Sequence, residues 1–128
     1  MILGTGLDLA DPARLRAAWE RRGERLLARL FLDPERAACE RARDPWPRYA
    51  GRFAAKEALL KALGTGLRRG VAWRQIRVFN EPSGKPGIEL SGRARELADA
   101  MGVAAIHVSI TDLDGLAAAM VVLEGDSR

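Results

Sequence analysis

From Met1 to Leu9 the chain alternates, with Leu3, Thr5, Leu7 and Leu9 on one side and Ile2, Gly4, Gly6 and Asp8 on the other. A period of two predicts a strand, and it puts Asp8 on the side that carries two glycines. After Asp11-Pro12, a capping residue followed by proline at a first helical position, Leu15, Trp19, Leu26, Leu27 and Leu30 recur at helical spacing. They predict one long basic helix ending between Phe31 and Asp33. Asp33-Pro34-Glu35 opens a second, shorter helix, which the prolines of Asp44-Pro45-Trp46-Pro47 bring to an end. The best-marked helix follows, from about Pro47 to Leu63, with Gly64 placed as its stop.

The second half reads as sheet. Gln75 to Asn80 and Gly87 to Leu90 are short strands joined by Glu81-Pro82-Ser83-Gly84-Lys85-Pro86, a hairpin composition. Ser91 opens a helix carrying Ala94, Leu97, Ala98 and Met101 and stopped by Gly102. Ala105 to Thr111 and Leu116 to Leu123 form an antiparallel pair around Asp114-Gly115, a dipeptide of tight primed turns. Strands at both ends with helices between them predict an α+β fold, in which an antiparallel sheet packs against a long helix and shorter helices. At 128 residues the chain is the size of one domain, spanning 1–128, with no repeat or low-complexity segment.

Composition narrows the chemistry. One cysteine, Cys39, forms no internal disulfide, and one histidine, His107, excludes a metal site built mainly from imidazole and thiolate. A hard cation on carboxylates stays open. No basic leader or membrane-length apolar run is present, so the cytoplasm is the expected compartment and no membrane the expected partner. The net charge of +4 is concentrated in Arg14, Arg16, Arg21, Arg22, Arg25 and Arg29. Such a stretch attracts an acidic partner, although a solvated helix face with Glu20 and Glu24 interleaved accounts for the charge as well.

Candidate chemistry centres on Arg52-Phe53-Ala54-Ala55-Lys56-Glu57-Ala58-Leu59-Leu60-Lys61 and the following Gly64-Thr65-Gly66. At about 100° per residue, Phe53, Glu57, Leu60, Lys61 and Gly64 share one broad face. Spacing alone does not separate a functional acid and base from an ordinary exposed pair at i, i+4, which stabilises a helix by about 0.3–0.5 kcal/mol. Gly64-Thr65-Gly66 offers backbone N–H groups to a phosphate; a plain helix cap explains Gly64 but not Gly66. An inward Asp8 needs a cation or donor, whereas a strand-end aspartate opening the turn toward Asp11 needs neither. His107, Ser109 and Thr111 alternate with Ile106, Val108 and Ile110, giving the last hairpin one polar and one apolar side; a polar pocket and a solvated strand face both fit. A serine hydrolase is not the expected reading, since Ser109 lies in a strand without a nucleophile-elbow glycine pattern and faces the same way as His107.

Four separated segments together resemble one family: Gly4-Thr5-Gly6-Leu7-Asp8-Leu9, Arg52 to Lys61 with Gly64-Thr65-Gly66, Gly84-Lys85-Pro86, and His107-Val108-Ser109-Ile110-Thr111. The chain is similar over almost its whole length to the short holo-acyl-carrier-protein synthases, which are 4′-phosphopantetheinyl transferases. The resemblance implies a homotrimer with coenzyme A in the cleft between subunits. It implies Asp8 and Glu57 as ligands of Mg²⁺, with Asp8, Glu57 and Lys61 as the catalytic set. Arg52, Lys61, Gly64, Thr65, Gly66, Pro86, His107 and Ser109 would contact coenzyme A, and Arg14, Arg21 and Arg22 would meet an acyl carrier protein. After Thr111 the family commonly carries a histidine and then an aromatic residue, where this chain has Asp112 and Leu116. An acid facing the ribose 3′-phosphate would repel it, a charge that Arg52, Arg68 or Arg69 would offset. Two rival readings are a carrier-protein-binding homologue impaired in catalysis and a basic nucleic-acid-binding module. Aromatic residues are few and Trp19 is the single one within the basic run, so nucleic acid is not the expected partner.

Overall fold

The computed structural model describes residues 1–127. Strand β1 (Ile2–Ala10) leads into helix α1 (Pro12–Arg22), then α2 (Glu24–Leu30), α3 (Asp33–Glu40) and the 18-residue α4 (Trp46–Leu63). A single 3₁₀ turn (Trp73–Gln75) precedes the hairpin β2 (Ile76–Asn80) and β3 (Pro86–Leu90), followed by α5 (Gly92–Met101), β4 (Val103–Asp112) and β5 (Ala117–Gly125). The strands form two antiparallel sheets, β1-β5-β4 and β2-β3. The α+β expectation holds, with the sheet divided in two.

The expected long basic helix is broken. Gly23 adopts φ +76°, in the left-handed region that favours glycine, and its N–H bonds back to Trp19 O at 2.6 Å. Two helices result. Asp11 caps the first through its carboxylate, which accepts from Ala13 N at 2.9 Å. The last connection is as expected: β4 and β5 pair as far as Asp112 and Ala117, and Leu113 N to Leu116 O at 2.8 Å closes the hairpin around Asp114-Gly115.

Helix α4 is the axis of the molecule. Ala54, Ala58, Leu59 and Ala62 pack with Ala119, Val121 and Leu123 of β5 and with Ile76, Val78 and Leu90 of the hairpin. A second apolar cluster joins its N-terminal half to α1–α3 through Leu15, Leu27, Phe31, Cys39, Trp46 and Tyr49. The outer side of the three-stranded sheet is uncovered in the single chain, leaving Leu7 63% and Leu9 61% exposed beside Met120.

Candidate active site

Two glycines bring β1 onto α4. A Cβ at Gly6 would lie 1.8 Å from Ala58 O, and one at Gly4 would lie 2.2 Å from Ala62 O, so no other residue fits at either position. Alternation then turns Asp8, next on that side, toward the last turns of α4. Lys61 Nζ donates to Asp8 Oδ1 at 2.8 Å and to Leu7 O at 3.0 Å. Asp8 is 12% exposed at its side chain, and its second oxygen, Oδ2, is buried without a hydrogen-bond partner.

Glu57 stands one turn before Lys61. Burial, and then the Asp8 carboxylate beside it, push the Glu57 carboxyl up to about 7, with Lys61 pulling the other way. The hydrogen bond to Asp8, ahead of its charge, raises the Lys61 ammonium. Lys61 is therefore a cation bridging β1 and α4, rather than half of an exposed pair with Glu57. Two crowded carboxylates with one orphaned oxygen suit a hard dication, which replaces the missing partner and relieves the repulsion. Among the described residues no group of three or more His, Cys, Asp or Glu side chains gathers elsewhere as a metal site. Mg²⁺ is held by one or two carboxylates where phosphate oxygens and water complete its shell.

Glu57 and Trp73 lie where two depressions meet. A groove of about 530 Å³ runs from them between α1, α2 and α4, with Arg14, Arg21 and Arg22 at its rim and Leu26 and Phe53 in its wall. A second, of about 570 Å³, passes Leu60, Lys61, Gly64, Gly66 and Leu67. Gly64 (φ +80°) and Gly66 (φ +58°) are left-handed, and a Cβ at either would meet nothing within 4 Å. Backbone conformation, not crowding, asks for glycine there. The Thr65 hydroxyl between them donates to Gly66 O at 3.0 Å.

The other sequence candidates lie elsewhere in the chain. Arg52 and Pro86 border a separate cavity of about 270 Å³, with Arg48, Asn80, Gly84, Ile110 and Asp112. Five residues of helix rotate Arg52 about 140° away from Glu57. His107 and Ser109 point to the outer side of the sheet, where His107 Nε2 meets Glu124 Oε1 at 2.8 Å. A single chain thus unites Asp8, Glu57, Lys61, the glycine loop and the arginine rim, and leaves Arg52, Pro86, His107 and Ser109 apart from them.

Sequence reasoning missed a buried ion pair. Lys56 Nζ is fully buried and donates to Glu35 Oε1 at 2.8 Å, Leu30 O at 2.8 Å and Trp73 O at 3.2 Å. Glu35 also accepts from Leu32 N and Val78 N, both at 2.8 Å. This hub ties α2, α3 and β2 to α4 and pins Trp73, whose ring packs 5.2 Å from Phe53 in the groove wall. The signal was present: Phe53, Leu59 and Leu60 flank Lys56 at helical spacing, which marks an inward position.

The chain is similar to known proteins over nearly its whole length. Residues 4–120 match the family model described as 4′-phosphopantetheinyl transferase superfamily. A holo-[acyl-carrier-protein] synthase of Methylorubrum extorquens is 48% identical over 128 residues, covering 97% of this chain and 94% of that protein. The crystal structure of the holo-[acyl-carrier-protein] synthase from Neisseria meningitidis superposes with a TM-score of 0.87 at 32% identity, over 97% of this chain and 99% of that one. The Helicobacter pylori enzyme, solved in complex with coenzyme A, gives 0.83 at 30% identity, over 94% and 99% of the two chains.

Proposed function

The chain belongs to the holo-acyl-carrier-protein synthases of the 4′-phosphopantetheinyl transferase superfamily, and on that premise we propose that it transfers the 4′-phosphopantetheine arm of coenzyme A to a serine of an apo acyl carrier protein in an Mg²⁺-dependent reaction. The observation that carries the metal dependence is the buried, unpartnered Asp8 Oδ2 beside Glu57. Asp8 and Glu57 would hold Mg²⁺, which when bound supplies charge neutralisation at the pyrophosphate.

The serine oxygen attacks the β-phosphorus of coenzyme A. A new O–P bond forms, the bond to the bridging oxygen breaks, and its electron pair leaves with 3′,5′-ADP. Glu57, directly or through a water it orients, accepts the serine proton. Lys61, an ammonium held by Asp8, stands ready to neutralise the leaving phosphate. The Gly64–Gly66 loop provides the surface along which the nucleotide lies, and Arg14, Arg21 and Arg22 at the groove rim receive the acidic carrier protein.

The oligomer follows from the same reading. Arg52, Pro86, His107 and Ser109 are remote from Asp8 within one chain, and the sheet side bearing Leu7, Leu9 and Met120 is uncovered. A homotrimer that covers this side and binds coenzyme A between copies accounts for both facts.

Intact-mass spectrometry of an apo carrier protein incubated with this enzyme, coenzyme A and Mg²⁺ tests the proposal. The carrier gains one phosphopantetheine mass, and EDTA or Glu57→Ala abolishes the gain. No gain with several apo carriers, or full gain in EDTA, overturns it.

A further inference from the structure

Helix α2 has seven residues, too few to hold its own conformation in water, where helices below roughly 12–15 residues are marginal. Yet its Leu26, Arg29 and Leu30 line the groove that leads to Glu57. The last four carbonyls of a helix have no partner within it. Here three find donors outside: Leu27 O accepts from Phe31 N at 2.9 Å, Leu30 O from Lys56 Nζ at 2.8 Å, and Ala28 O from Arg74 Nη1 at 2.8 Å. The same Arg74 nitrogen donates to Phe31 O at 3.1 Å. Two cations from other elements thus close the negative end of α2.

No acidic side chain draws Arg74 to this position. Among the described residues its guanidinium forms no ion pair, and it does not line the groove. Lys56, bonded to the carbonyl between its two acceptors, repels it. Its backbone is fixed, because the turn Trp73–Gln75 is anchored on either side of it. Trp73 O accepts from Lys56 Nζ at 3.2 Å, Gln75 O from Ser91 N at 2.9 Å and Gln75 Oε1 from Ala94 N at 3.1 Å. Arg74 is therefore a strut from a fixed turn to a short helix. The turn also carries Trp73, which stands with Glu57 where the two depressions meet.

We infer that Arg74 is a positioning residue, which fixes the α2 wall of the groove relative to Trp73 and Glu57 without touching the molecule that the groove receives. The inference rests on the reading of that groove as the place where the carrier protein docks. Without the strut, α2 keeps the apolar contacts of Leu27 and Leu30 but frays from its C-terminal end, so that Leu26 and Arg29 no longer hold one place. Carrier binding weakens as a result. Coenzyme A, beside Lys61 and the glycine loop, is not affected, because Lys56 still holds Trp73 O.

Arg74→Met keeps the stem and removes the donors. Hydrogen exchange of the full chain, followed by mass spectrometry, shows the α2 amides exchanging about tenfold faster than in the parent and those of α4 unchanged. In steady-state transfer the KM for the apo carrier rises about three- to tenfold, while kcat and the KM for coenzyme A stay within about twofold and the salt dependence of kcat/KM is unaltered. Arg74→Lys, which keeps a charged donor, recovers part of both effects. Parent-like exchange in α2, or an unchanged carrier KM, overturns the inference. So does a raised carrier KM with a flattened salt dependence, which would make Arg74 a direct contact of the carrier. If the parent chain modifies no carrier, the carrier reading fails and the inference falls with it, whatever the exchange of α2.

Discussion

Lys61 Nζ lies 2.8 Å from Asp8 Oδ1, across the junction of β1 and α4. One cation thus serves a carboxylate 53 positions away in sequence, and Glu57 stays beside Asp8 with its carboxyl raised to about 7. Replacing Lys61 with Met removes the charge and keeps the stem. Turnover at saturating coenzyme A falls by about 10²–10³-fold, the usual loss for one preorganised charge at a reacting oxygen. Single-turnover kinetics check it, and because Lys61 is largely exposed, the melting temperature stays within a few degrees.

The raised Glu57 carboxyl makes metal-free stability depend on pH. Its pKa rises on folding from 4.5 to about 7, so the folded state holds this proton more tightly than the unfolded chain. The stabilisation is complete below about 4.5 and is lost as pH rises through about 7. At a half-buried site open to solvent screening the effect amounts to about 1–2 kcal/mol. Thermal unfolding in EDTA shows this decline for the parent and not for Glu57→Gln. Added Mg²⁺ raises the melting temperature more at pH 8 than at pH 6, because the metal competes with the proton.

Lys56 and Glu35 make a sharper case for stability. Each is fully buried and bonded, and removing one partner leaves the other as an uncompensated charge. Lys56→Met and Glu35→Leu each cost about 3–5 kcal/mol, whereas the double variant recovers much of that loss. Denaturant unfolding of the three variants measures it. Additive losses in the double variant would show that the two side chains are not acting as a pair.

How much of this was legible in the sequence depended on the range of the interaction. Alternation in β1 is local, and it suffices to put Asp8 on the glycine side. Helical spacing is local too, and it aligns Glu57, Lys61 and Gly64. Neither reveals that the glycine side of β1 meets α4, because that contact joins residues about fifty positions apart and shows itself only as the absence of side chains at Gly4 and Gly6. The break at Gly23 was hidden for the opposite reason. Leucines on both sides of it keep a helical period, although the backbone between them turns. Lys56 was overlooked because a lysine on a helix is usually solvated. Its three acceptors come from Leu30, Glu35 and Trp73, all outside its own helix.

The arginine rim gives a prediction about the carrier protein alone. Arg14, Arg21 and Arg22 border the groove that ends at Glu57, but none of them touches the Asp8–Lys61 pair. Charge reversal of Arg21 and Arg22 to Glu raises the KM for the carrier by tenfold or more and leaves the KM for coenzyme A within twofold. The salt dependence of kcat/KM for the carrier flattens in the variant.

The glycines of β1 provide the most direct test of how the site is assembled. A methyl group at Gly6 would sit 1.8 Å from Ala58 O, and backbone cannot move aside as a flexible side chain can. Gly6→Ala therefore has to lift β1 away from α4, which costs about 3 kcal/mol or more as an overpacked contact. The same movement carries Asp8, two residues on, away from Lys61 and Glu57. Crowding of the two carboxylates then eases, and the Glu57 carboxyl returns toward its ordinary range. In the variant the pH dependence of metal-free unfolding flattens, and Mg²⁺ no longer raises the melting temperature. Ala at Thr5, whose side chain faces outward from the same strand, changes neither property. If Gly6→Ala kept both the pH slope and the Mg²⁺ response, the close approach of β1 to α4 would not be what holds Asp8 at Glu57.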